Sequence, residues 1–84
     1  MLVSVIIPTY KRKDSILRAL DSVCRQTMAA DQFEVVVVDD GSTYDAQDIV
    51  DRDFPFRFQF LRKQNEGATI ARNYGVRRSQ GDVL

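Results

Sequence analysis

"VVVVDDGST", residues 35–43, runs four valines straight into two adjacent carboxylates and a glycine. An unbroken β-branched run reads as a strand covered on both faces, as in the middle of a parallel sheet. Asp and Gly directly after it read as the turn that leaves the strand. Neighbouring aspartates repel, so Asp39 and Asp40 need solvent, a cation or a ligand with hydrogen-bond donors beside them. The valines place that pair at the carboxyl end of the strand.

On either side the apolar period alternates between strand and helix. "LVSVIIP" (2–8) reads as a buried strand that stops at Pro8. In "KRKDSILRALDSVCRQT" (11–27), Ile16, Leu17, Leu20, Val23 and Cys24 fall on one helical face, with Arg18, Asp21 and Arg25 opposite. That spacing assigns Cys24 to core packing. After the aspartates, Ser42 with Asp45, or Thr43, can cap a second helix whose thin apolar stripe is Ala46, Ile49 and Val50. "FRFQFL" (56–61) alternates, which predicts a third strand less buried than the second. "EGATIARNYGVRRSQG" (66–81) predicts a helix with small residues Ala68, Ala71 and Gly75 on one side; Asn73 and Gly75 suit close helix–sheet contact. Gly81 is placed to stop this helix, and "DVL" starts another strand.

Strand–helix alternation predicts an α/β fold: a Rossmann-like three-layer sandwich around a mainly parallel sheet. Ligands of such sheets gather beyond the carboxyl ends of the strands. "PTYKR", "DDGST" and "QNEGA" therefore share one rim.

Composition excludes several classes. Eighty-four residues allow one small domain, and 44% apolar with 29% charged residues describe a folded chain rather than a disordered one. Twelve basic and twelve acidic residues cancel, which argues against nucleic acid as a partner. The single cysteine fits a reducing compartment, and the absence of histidine removes the commonest general base and metal ligand. A nicotinamide-binding domain needs a glycine-rich turn after its first strand, and "PTYKRKDS" has no glycine. Phospho-acceptor signalling domains carry paired acids after the first strand rather than the second.

Three blocks in order, "VSVIIPTYKR", "VVVVDDGSTYD" and "NEGATIARNYGVRRSQGDVL", cover essentially the whole chain and resemble the opening of the inverting family-two glycosyltransferases. The resemblance implies the N-terminal part of a GT-A fold, with residues 1–84 forming the nucleotide-sugar-binding part and ending before the Asp-x-Asp motif. It implies transfer of a sugar from a nucleotide-sugar donor, commonly UDP-linked, to a carbohydrate or lipid-linked acceptor, as in polysaccharide biosynthesis. Pro8, Thr9 and Tyr10 would line the base pocket. Asp39 and Asp40 would hold the base edge, with Asp40 favoured to accept the uracil imide N–H. Gly67 would let backbone approach the nucleoside, and Arg72 would neutralise the diphosphate or buttress the acidic rim. Mg or Mn is expected for the full-length enzyme, with no cofactor, metal site or catalytic residue in this chain alone.

The implied location is cytoplasmic, with membrane association allowed for the full-length protein. The fragment by itself is expected to be inactive and prone to self-association, through an unpaired edge beside "LVSVII" or "DVL". Each assignment has a plainer counterpart. The aspartates can simply cap a helix and begin a turn, Tyr10 can pack over the first helix, and Arg72 can be a solvated helix face or pair with Glu66 or an aspartate. Lys11, Arg12 and Lys13 read as a solvated helix start. A non-enzymatic nucleotide-binding or assembly module is the alternative for the chain as a whole.

Overall fold

The computed structural model describes residues 2–25 and 29–83. Strand β1 (Val3–Thr9) leads to helix α1 (Lys13–Cys24). A single 3-10 turn (Ala30–Gln32) then precedes β2 (Phe33–Asp39). Helix α2 (Gln47–Val50), β3 (Arg57–Arg62), α3 (Ala68–Arg78) and the short β4 (Asp82–Val83) complete the chain. The sheet order is β3-β2-β1-β4 and every pairing is parallel. The α/β sandwich expected from the alternation is thus present, with residues 26–27 of the first helical run and Leu84 lying outside the described residues.

Strand β2 is buried along its whole length, and its period of two divides the core. Phe33, Val35 and Val37 pack with Ile16 and Leu20 of α1, Ala46 and Ile49 around α2, and Phe56. Val36 and Val38 face the other way, against Ala71 of α3. Helices α1 and α2 therefore cover one face and α3 the other. The chain steps outward from β1 to β3, then crosses beneath the sheet to place β4 on the opposite side of β1. Strand order reverses at β1, the topological switch point where open α/β sheets hold their ligands. Gly75 makes the α3 layer possible: a Cβ there would stand 2.8 Å from methyls of both Ile6 and Val38.

Several local expectations are corrected. Ser42 and Asp45 do not cap α2 as a box; the helix starts at Gln47 after Ala46, with no side-chain cap. Ser42 Oγ instead accepts the Lys11 N–H at 2.6 Å, and Asp45 Oδ1 accepts the Gln47 N–H at 2.9 Å. Val50 is exposed, so the α2 stripe reduces to Ala46 and Ile49. Ala68 is exposed, leaving Ala71 and Gly75 as the packed small residues of α3. Cys24 is exposed rather than in the core.

Strand β1 is not an edge at its start, because β4 pairs with Val3 and Ser4. Two buried polar groups secure that junction. Glu34 accepts the Gln80 N–H with both carboxylate oxygens at 3.2 Å, and Ser4 Oγ accepts the Gly81 N–H at 2.9 Å. Among the described residues, no helix is long and apolar enough to cross a membrane.

Candidate functional site

Beyond the carboxyl end of β1 lies a cleft of about 570 Å³. One wall comes from β1 and α1: Ile7, Pro8, Thr9, Tyr10, Arg12, Ser15, Ile16 and Ala19. The other comes from the β2 and β3 exits: Asp40, Asn65, Gly67 and Ala68. Tyr10 is 41% exposed, a ring left out of the core at the mouth of a mostly apolar slot.

Hydrogen bonds tie the three loops around this cleft to one another. The Asp40 N–H donates to the Thr9 carbonyl at 2.8 Å, and the Lys63 N–H donates to the Asp39 carbonyl at 3.0 Å. Asn65 Nδ2 donates to the Asp40 carbonyl at 2.8 Å. Lys11, held by Ser42, adopts a φ of 53°, a left-handed conformation uncommon outside glycine. Gly41, at φ 92°, lets the β2 exit touch the Asn65 backbone; a Cβ there would lie 2.7 Å from the Asn65 nitrogen.

The two aspartates part company at the end of β2. Asp39 turns inward, fully buried, where Oδ2 accepts a hydrogen bond from Arg62 Nε at 2.5 Å. Arg62 also donates to the Tyr44 carbonyl at 2.9 Å. Asp40 faces the loop before α3. Its Oδ1 accepts the Glu66 N–H at 3.0 Å and its Oδ2 accepts the Gly67 N–H at 2.9 Å, with Asn65 Nδ2 at 3.3 Å. Lys63 Nζ stands 3.6 Å from Asp40 Oδ1 and is anchored by Glu66 and the Gln64 carbonyl, both at 2.6 Å.

The Glu66 N–H is the largest influence on the Asp40 carboxyl. Together with the Gly67 N–H and the Lys63 ammonium it outweighs burial and holds the group below the ordinary carboxylate range. Asp40 is therefore a fixed anion at neutral pH. A carboxylate offers about four lone-pair sites. Oδ2 accepts two of these donors, and Oδ1 accepts the Glu66 N–H with the Lys63 ammonium 3.6 Å away.

Of the residues singled out in the sequence, Pro8, Thr9, Tyr10, Asp40 and Gly67 meet at the cleft. Asp39 and Arg72 are not among its lining residues: Asp39 sits behind the wall with Arg62, and Arg72 is exposed on α3. Gly67 combines a φ of 104° with open space around its missing Cβ, so the backbone is bare toward the slot. Asn65, Arg12, Ser15 and Lys63 were not legible as site residues. Asn65 is the one with a signal, since it directly precedes the Glu–Gly pair that opens α3. The divalent cation implied for the full-length enzyme finds no ligand set here. Among the described residues, no three His, Cys, Asp or Glu side chains converge, and both rim aspartates are occupied by protein donors.

A parallel sheet with a cleft at its switch point defines a class, and comparison with known proteins narrows it. Residues 4–84 match the family model for glycosyl transferase family 2, and the chain belongs to that family. It is 42% identical over 87 residues to an uncharacterised glycosyltransferase of Rickettsia bellii, covering 98% of this chain and 12% of the relative. It is 40% identical over 89 residues to validoxylamine A glucosyltransferase of Streptomyces hygroscopicus, covering 99% of this chain and 20% of the relative. The crystal structure of S. aureus TarS superposes with a TM-score of 0.85 at 34% identity, over all of this chain and 16% of TarS. The chain thus spans a small fraction of the length of these proteins.

Proposed function

We propose that this chain is the donor-binding part of a glycosyltransferase, and that its cleft holds the nucleotide of a UDP-linked sugar. The observation that carries the reading is the pairing, across one slot of about 570 Å³, of an exposed aromatic ring with an ionised, prepositioned carboxylate. A flat, weakly polar ring can stack on the Tyr10 face. The imide N–H of uracil is a donor in the ring plane, and the ionised Asp40 carboxylate on the cleft lining suits it as an acceptor. Bare backbone at Gly67 leaves room for the ribose. Family membership and the named glycosyltransferase relatives support the sugar-transfer half of the proposal.

Acceptor binding, the general base and the ligands of a divalent Mg or Mn ion are assigned to parts of the protein other than these residues. The purified chain is accordingly expected to bind UDP and to show no sugar transfer. Titration calorimetry with UDP, and with ADP as the mismatched base, tests the reading. Equal affinity for both, or for neither, would remove it.

A further inference from the structure

Most cations around the cleft are consumed by the fold. Lys13 Nζ reaches Asp48 Oδ1 at 2.9 Å and the Asp45 carbonyl at 2.7 Å. Arg62 holds Asp39, Lys63 holds Glu66, and Lys11 Nζ rests 5.1 Å from the centre of the Tyr10 ring. Arg12 differs. It lines the cleft and also an adjoining groove of about 520 Å³, so it stands on the ridge between them. Among the described residues its guanidinium has no hydrogen bond, ion pair or ring contact.

The cleft lining contains two charged side chains, Arg12 and Asp40. Asp40 is already compensated by two backbone N–H groups and Lys63, so the unbalanced charge of the slot is that of Arg12. An exposed guanidinium keeps its hydration until a ligand arrives. It then offers a rigid fork of donors that matches phosphate oxygens two at a time. We propose that Arg12 is the phosphate-binding residue of this cleft and makes it select the charged nucleotide over the neutral nucleoside. The assignment rests on the nucleotide reading above, and it gives Arg12 the part that the sequence had suggested for Arg72.

Calorimetry with UDP and with uridine, on wild type, Arg12→Ala, Arg12→Lys and Arg72→Ala, tests it. Arg12→Ala is expected to weaken UDP about tenfold, the scale of one lost charge-assisted contact, and to leave uridine within about twofold. Arg12→Lys recovers part of the loss, Arg72→Ala has little effect, and the salt dependence of UDP binding flattens in Arg12→Ala. Arg12 holds nothing else in place, so the variant should melt with wild type. Equal losses for uridine and UDP, or no loss for either, would overturn the phosphate role while leaving the nucleotide reading intact. Failure of the wild type to bind either compound would overturn both.

Discussion

Asp39 and Asp40 are chemically identical neighbours with opposite duties, and substitutions should separate them. Asp40→Asn places an amide where two backbone N–H groups point, so it loses both the loop anchor and the anion. UDP affinity is expected to fall roughly ten- to a hundredfold, the range for a hydrogen bond to a charged group. Asp39→Asn removes the buried carboxylate that pairs with the solvent-exposed Arg62 and should cost about 1 kcal/mol of stability with a smaller effect on binding. Calorimetry and denaturant melts on both variants check the split; a binding loss centred on Asp39 would reverse it. Tyr44 has a buried hydroxyl with no hydrogen-bond partner among the described residues. Tyr44→Phe should therefore be neutral or stabilising by up to about 1 kcal/mol, again by denaturant melt. The sequence announced an acidic pair and could not rank its members. Successive residues at a strand end point to opposite sides, and which side faces Arg62 depends on where β3 lies. Position within the family's motif favoured Asp40 for the base, and Asp40 is the member of the pair that lines the cleft.

At the scale of elements, helix α3 shows a contest of two known magnitudes. Replacing Gly75 with alanine gains about 1 kcal/mol of helix propensity. The same methyl would meet Ile6 and Val38 at 2.8 Å, and overpacking a filled core costs about 1–3 kcal/mol. Destabilisation should win, by a margin that a thermal melt of Gly75→Ala can read. Most element types were readable because β2 and α1 carry strong periods. The failures sit where period says nothing. Helical spacing gives the azimuth of Cys24 but not how far the covering layer extends along the axis, and at the last residue of α1 it has run out. Ser42 looked like a helix cap because nothing local could reveal that Lys11, 31 positions earlier, would claim its hydroxyl. Glu34 breaks the apolar run of β2 for a reason equally remote, the Gln80 backbone across the sheet.

For the molecule as a whole, two exposures matter. Strand β4 covers only Val3 and Ser4, so among the described residues the stretch 5–9 of β1 has no strand on that side. An unpaired, partly apolar edge is a template for another copy, and light scattering across a concentration series should show association growing with concentration. A persistent monomer at high concentration would mean the edge is protected in another way. The second exposure is to acid. Asp40 titrates below its unfolded value, so it contributes stability that is fully present above the ordinary carboxylate pKa of about 4 and is lost as pH falls through the lower folded value. Amide protection factors at Glu66 and Gly67, corrected for the intrinsic exchange rate, should hold down to about pH 4 and fall only in stronger acid. Loss of protection near neutrality would contradict the assigned anchor.

The bonds that join the three rim loops have a consequence for the heat and speed of recognition. Thr9, Ser42 and Asn65 already hold the residues around the slot, so an arriving molecule meets walls whose freedom was surrendered when the chain folded. Little ordering entropy remains to be charged to the encounter. Association should therefore be favourable in enthalpy, show only a small change in heat capacity beyond the area covered, and approach a simple bimolecular rate without a slow isomerisation behind it.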